Sequence, residues 1–220
     1  MFFLTEKLMP DYDSKPPRHP SLLDNSRAAL LIIDIQTVLL EHIWQKELLV
    51  RNTGYMIEIA RIHSLPVILT EHNPDGLGHT DEKVVKMLND AGIGYQPLFK
   101  NIFSCCGHED FVEAVKSTGR DQIIVTGMES HICVNQTALD LMNHGFQVHV
   151  VEDAVRARWE NSHNLAIEKM RRAGAIICDW EMAAYELTYG AKTPQFKQLL
   201  ALMKKAASDE KTESGVESMK

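Results

Sequence analysis

Two kinds of apolar spacing alternate along the chain. Continuous apolar runs mark strands covered on both faces, and apolar positions three and four apart mark helices with one buried side. The first run covers 27–34, with Ala28-Ala29-Leu30-Leu31-Ile32-Ile33 closing on Asp34. Helical spacing follows from Val38 to Ile62 through Leu39, Ile43, Leu48, Ile57 and Ile59, with Asn52-Thr53-Gly54 as a break or bend. Further runs predict strands at 65–70, 94–99, 122–126, 146–151 and 175–178. Helices are expected at 80–89, 111–117, 131–144, 161–173, 182–189 and 194–205, and Gly145 sits where a helix C-cap belongs.

Strand and helix alternate throughout, which argues an α/β fold: three α/β/α layers around a six-stranded parallel sheet. The domain is expected to span 27–206. Residues 1–26, with Pro10, Pro16, Pro17 and Pro20, read as an arm, and 207–220 read as a polar, disordered tail.

In such sheets ligands bind beyond the C-terminal ends of the strands. Asp34 closes the first strand, Lys100 follows the third and Cys133 follows the fourth. Cys133 comes just after the Thr126-Gly127 turn, in or near the first turn of a helix. Unpaired N–H groups and the positive dipole end there are expected to lower the thiol pKa and favour the nucleophilic thiolate. Lys100 favours both anions by charge, and Asp34 can take the thiol proton and return it to a leaving group or activate water. The sulfur attacks a carbonyl carbon to form an acyl-enzyme, with the backbone N–H groups of Glu129 and Cys133 facing the oxyanion. Each residue also has a plainer reading. A cysteine is often a small hydrophobe, an aspartate at a strand end a cap, and a lysine a solvated surface group. Their coincidence on one sheet edge argues for chemistry.

Composition narrows the partners to a small-molecule substrate. The 220 residues suit one domain. A net charge of −7 without a basic stripe argues against nucleic acid. No apolar run reaches the length of about 18 residues that a membrane helix needs. The four cysteines show neither metal-ligand nor disulfide-framework spacing, and the first residues lack a basic region before their apolar ones, so a cytoplasmic location is expected. The stretch after the first strand, Asp34-Ile35-Gln36-Thr37, has no Gly-x-Gly-x-x-Gly, which removes a dinucleotide-binding oxidoreductase.

Three motifs carry a family resemblance: Leu31-Ile32-Ile33-Asp34-Ile35-Gln36, Lys100-Asn101-Ile102-Phe103-Ser104 and Thr126-Gly127-Met128-Glu129-Ser130-His131-Ile132-Cys133-Val134. Thr137-Ala138 and Val150-Val151-Glu152-Asp153-Ala154 add to them. Across about 26–190 the chain resembles the isochorismatase-like cysteine hydrolases, among them isochorismatases, nicotinamidases and N-carbamoylsarcosine amidases. The resemblance implies a catalytic triad of Asp34, Lys100 and Cys133 and a non-proline cis peptide near Met128-Glu129. It also implies Gln36 near the substrate, Phe103 on the pocket wall, and a homo-oligomer, dimer or tetramer. Some isochorismatase relatives carry glycine at the cysteine position, so Cys133 favours hydrolysis of a small amide, ureido or related compound through a thioester over the vinyl-ether route. The alternatives are that ether hydrolase and a catalytically silent oligomeric scaffold.

No metal or cofactor is expected. Nicotinamidases place an aspartate and histidines after the second strand, whereas Glu71, His72 and His79 are only a partial echo. His131, two positions before Cys133, points elsewhere on a helix and reads as a surface or interface residue. Trp159, Trp180 and Tyr185 are expected to pack rather than bind ligand.

Overall fold

The computed structural model describes residues 17–217, with side chains to residue 209. The readings for 1–16 and 218–220 lie outside the described residues. Strands β1 (Ala28–Ile33), β2 (Val67–His72), β3 (Pro97–Lys100), β4 (Gln122–Met128), β5 (Gln147–Arg156) and β6 (Ile176–Cys178) form one parallel sheet, ordered β3-β2-β1-β4-β5-β6. The helices are α1 (Thr37–Leu40), α2 (Lys46–His63), α3 (Pro74–Leu77), α4 (Glu82–Asp90), α5 (Glu109–Ser117), α6 (Asn135–Asn143), α7 (Glu160–Ala173), α8 (Trp180–Thr188) and α9 (Pro194–Glu217).

The period of two along a strand sorts the core into two clusters. Ala28, Leu30 and Ile32 face Leu49 and Met56 of α2, Val84 and Leu88 of α4, Leu187 of α8 and Leu199 of α9. Ala29, Leu31 and Ile33 face Phe111 and Val115 of α5, Leu141 of α6 and Met170 of α7. All six β1 residues are buried, as a central strand covered on both faces requires. This is the three-layer arrangement that the apolar runs predict.

Three boundaries differ from the sequence reading, each for a local reason. The helix expected from Val38 to Ile62 breaks at 41–45, where Gln45 takes a left-handed φ of 52°, and runs on through Asn52-Thr53-Gly54. Asn52 is buried and its amide donates to the Asp153 carbonyl at 3.0 Å. Gly54 lets α4 come close, since a Cβ there would lie 2.7 Å from the Met87 sulfur. The arm is partly domain: Leu23 is fully buried in the first cluster, and Arg18 donates to the Glu186 carbonyl at 3.0 Å. Finally, α9 continues to Glu217, so most of the stretch expected to be disordered from 207 is helical. Leu199, Leu202 and Ala206 pin its inner face, and the Tyr55 hydroxyl donates to Asp209 at 2.8 Å.

Register brings the strand ends together. Ile33 pairs with Gly127 on one side and with Thr70 on the other, and His72 pairs with Lys100. Gly127 has φ +117°, and a Cβ there would lie 2.1 Å from the Ile33 carbonyl oxygen. Only glycine lets β4 approach β1 so closely at that level. The strand order reverses between β1 and β4, which opens a crevice between Asp34 and the turn after β4.

Candidate active site

Asp34 leaves β1 with φ 52°, a left-handed conformation that aspartate tolerates better than most residues. Its carboxylate is fully buried and meets the Lys100 ammonium, with Oδ2 2.6 Å from Nζ. Two strand spacings, about 10 Å, separate β3 from β1. The long lysine side chain therefore crosses the end of β2 to reach Asp34. Thr70, on the crossed strand, donates its hydroxyl to Asp34 Oδ1 at 2.7 Å. Lys100 Nζ also donates to Cys133 Sγ at 3.4 Å. The three residues far apart in sequence meet within hydrogen-bonding distance of one ammonium.

Cys133 is positioned by an unusual turn. The Met128-Glu129 peptide is cis, where the resemblance implied it. Ser130–Val134 then form one π-helical turn before α6 begins. The Glu129 carbonyl accepts from Ile132 N at 3.0 Å and from Val134 N at 3.2 Å, the latter spanning five residues. Beneath the turn, buried Ser130 lies 3.3 Å from His163 Nδ1, and His163 Nε2 lies 2.8 Å from Glu152 Oε1. This chain ties α7 and β5 to the segment that carries the sulfur.

The Cys133 thiol departs from the lowered pKa expected of a helix start. Burial pushes it up, the Asp34 carboxylate adds to the rise, and Lys100 only partly offsets both, so it stands at about 12. Desolvation outweighs the dipole because the residue keeps only 7% of its surface exposed. The sulfur is therefore held in its protonated form at neutral pH. On Lys100 burial pulls the pKa down, but the Asp34 carboxylate, with the neighbouring cysteines, overrides it, and the ammonium is held above its ordinary range.

Gln36, implied by the resemblance to lie near the substrate, has its amide engaged by the protein. It is fully buried and spends its amide on protein: Nε2 donates to the carbonyls of His72 at 3.0 Å and Gly78 at 2.5 Å, and Oε1 accepts from His72 N at 2.7 Å. It clamps the loop after β2. Phe103 stands half exposed at the rim and stacks on His72, centroids 5.5 Å apart. His131 turns away from the sulfur toward Glu129, 3.9 Å off.

The partial metal echo dissolves into other contacts. The Glu71 carboxylate accepts from the backbone and hydroxyl of Thr80, both at 2.7 Å, and from the Tyr95 hydroxyl, with His79 Nδ1 3.0 Å away. His72 faces Lys100 instead. Among the described residues, no group of three or more His, Cys, Asp or Glu side chains is arranged to hold a metal ion.

Trp180 packs against Tyr55 as expected, with centroids 4.7 Å apart. Trp159 does not pack: it is 60% exposed, lies under the Arg158 guanidinium, and borders a cleft of about 470 Å³ with Leu39, His42 and Glu129. That cleft opens beside the turn carrying Cys133. Two grooves of about 450 and 470 Å³ lie between α2, α4 and α9, and neither is lined by Asp34, Lys100 or Cys133. Cleft size alone therefore does not locate the chemistry. Among the described residues, no helix is long and apolar enough to cross a membrane.

Sequence reasoning passed over Thr70, Ser130, His163 and the Glu129–Arg158 ion pair at 2.9 Å. Thr70 had a usable signal: it is a polar residue near the C-terminal end of a strand adjacent to Asp34.

The chain is similar to several known proteins. A family model described as Isochorismatase domain matches residues 28–182. Isochorismatase family protein 1A of Dictyostelium discoideum is 36% identical over 183 residues, which cover 82% of this chain and 87% of that protein. The structure of MAR1 ribonuclease from Caenorhabditis elegans shares 33% identity with a TM-score of 0.74, over 82% of this chain and 91% of that one. The YcaC gene product of Escherichia coli, described as an octameric hydrolase of unknown specificity, shares 29% identity with a TM-score of 0.78, over 94% of this chain and 100% of that one.

Proposed function

The chain belongs to the isochorismatase family, and from that premise we propose that it is a cysteine hydrolase of small amide, ureido or related C–N substrates. The observation that carries the reading is one ammonium, Lys100 Nζ, set 2.6 Å from Asp34 and 3.4 Å from the Cys133 sulfur. In this mechanism Asp34 takes the thiol proton as Sγ attacks the substrate carbonyl carbon. Negative charge builds on the carbonyl oxygen and is met by the backbone N–H groups of Glu129 and Cys133. The tetrahedral species collapses to a thioester, the C–N bond breaks, and Asp34 returns its proton to the departing nitrogen. Asp34 then deprotonates a water that cleaves the thioester and restores the thiol. Throughout, Lys100 balances charge that moves between carboxylate and sulfur.

The name of the Caenorhabditis relative raises a ribonuclease reading. A chain of net charge −7 is a poor match for a polyanion. The deciding experiment is a panel of small amides and ureido acids scored for ammonia release, with a short RNA alongside. Ammonia from at least one member is expected. RNA cleavage without ammonia overturns the reading. Ammonia from none, with a reactive Cys133, moves it to esters or to the isochorismatase-type ether.

We also infer a homo-oligomer, a dimer or tetramer, since Leu165, Trp159 and Phe99 are each more than half exposed and the Escherichia relative is described as octameric. Light scattering is expected to give at least twice the chain mass. A single-chain mass across micromolar concentrations contradicts it.

A further inference from the structure

Lys100 reaches Asp34 only by passing the end of β2, and the residue it passes is His72. His72 Nδ1 lies 3.4 Å from Lys100 Nζ, at the same range as the Cys133 sulfur. An ammonium has three hydrogens, and Asp34, Cys133 and His72 are three partners within 3.4 Å of it. His72 is held at its backbone and at its ring. Gln36 grips its backbone N–H and carbonyl, and Phe103 lies nearly parallel to the ring at 24°.

We propose that His72 is a positioning residue for the triad: as a neutral imidazole it accepts the third Lys100 hydrogen on Nδ1 and so aims the ammonium between Asp34 and the sulfur. This rests on the hydrolase reading above. It gives the buried Gln36 amide a part, since it holds the His72 backbone from which the ring projects, while the Phe103 stack orients the ring itself. It also makes the rim at Phe103 continuous with the catalytic pair through one stacked ring.

The arrangement carries a pH dependence. The charged groups that face the ring are Lys100 on β3 and Asp34 after β1; Glu71, the preceding residue, is spent on Thr80, Tyr95 and His79. Burial first and Lys100 second hold the His72 pKa below its usual value, against Asp34 and a backbone group of Ile102 that favour a proton. Nδ1 is therefore free to accept at neutral pH. Acid that protonates the ring sets two cations against each other and removes the acceptor.

Two substitutions separate the acceptor from the packing. His72→Asn keeps an oxygen near the Nδ1 position and removes the ring. His72→Phe keeps a ring against Phe103 and removes the acceptor. The full chain is treated with iodoacetamide, and the second-order rate of Cys133 modification is read by mass spectrometry between about pH 5 and pH 8. His72→Phe is expected to slow modification about tenfold, the effect of one hydrogen bond to a charged group. His72→Asn is expected to recover most of that rate and to lose the part of the acid-side fall that comes from protonating the ring, which the lowered His72 pKa places on the acid side of an ordinary histidine. His72→Asn as slow as His72→Phe, or His72→Phe as fast as wild type, overturns the proposal. Wild-type Cys133 modified no faster than in Asp34→Asn overturns the hydrolase reading itself, and His72 falls with it.

Discussion

Replacing Cys133 with alanine is expected to lower turnover of the best substrate in the ammonia panel by about 10³-fold or more, the scale on which enzymes lose rate when their nucleophile is removed. The fold should survive. The sulfur is a small buried group, and an alanine methyl leaves only a minor void, so the melting temperature is expected to stay within a few degrees of wild type. Turnover within tenfold of wild type would place the nucleophile elsewhere. The raised thiol pKa adds a second signature. An unfolded cysteine ionises near pH 8.5, whereas folded Cys133 holds its proton to about 12. A raised folded pKa means full stability below the unfolded value and loss as pH climbs through the gap. Wild type is therefore expected to lose more stability than Cys133→Ala between about pH 8.5 and pH 10, measured by urea unfolding. Cys105 is raised the same way, to about 11, and stays in both proteins.

Much of this site is legible from spacing because the sheet does the gathering. A short continuous run such as Ala28–Ile33, six residues ending in two isoleucines, reads as a covered strand, and a parallel sheet sends its strand ends to one edge. Asp34, Lys100 and Cys133 are then neighbours by topology before any distance is known. What spacing does not carry is competition between local forces. A cysteine at a helix start has both a favourable dipole and a desolvation penalty, and only burial shows that the penalty wins. Gln36 is a polar residue two positions after Asp34, and nothing in the sequence says that its amide is consumed by the His72 and Gly78 backbone. The Ser130–His163–Glu152 chain joins three elements whose packing no periodicity predicts. The helix break at 41–45 was hidden for a related reason: Gly54 looks like a breaker in sequence and acts as a contact surface for Met87.

Replacing Lys100 with methionine is expected to damage stability as well as activity. Lys100 and Asp34 keep 3% and 0% of their surface, so neither charge has water to fall back on. Removing the ammonium leaves the Asp34 carboxylate buried with only uncharged donors, the Thr70 hydroxyl and the Cys133 thiol, beside it. Breaking a buried pair in this way costs about 3–5 kcal/mol, a large share of the roughly 5–15 kcal/mol that holds a domain together. The raised Lys100 pKa keeps this contribution intact at neutral pH, since it is lost only when alkali exceeds the unfolded lysine value near 10.4. The double variant Asp34→Asn/Lys100→Met removes both charges and keeps a buried amide for Thr70. It is expected to be more stable than Lys100→Met alone while remaining inactive, because the base and its counter-ion are both gone. A double-mutant cycle by denaturant unfolding, read beside ammonia release, separates the two roles. If the two substitutions add with no coupling, the buried pair is not the electrostatic unit that the 2.6 Å contact describes. If the double variant hydrolyses amides near the wild-type rate, the proton path through Asp34 is wrong even though the pair exists.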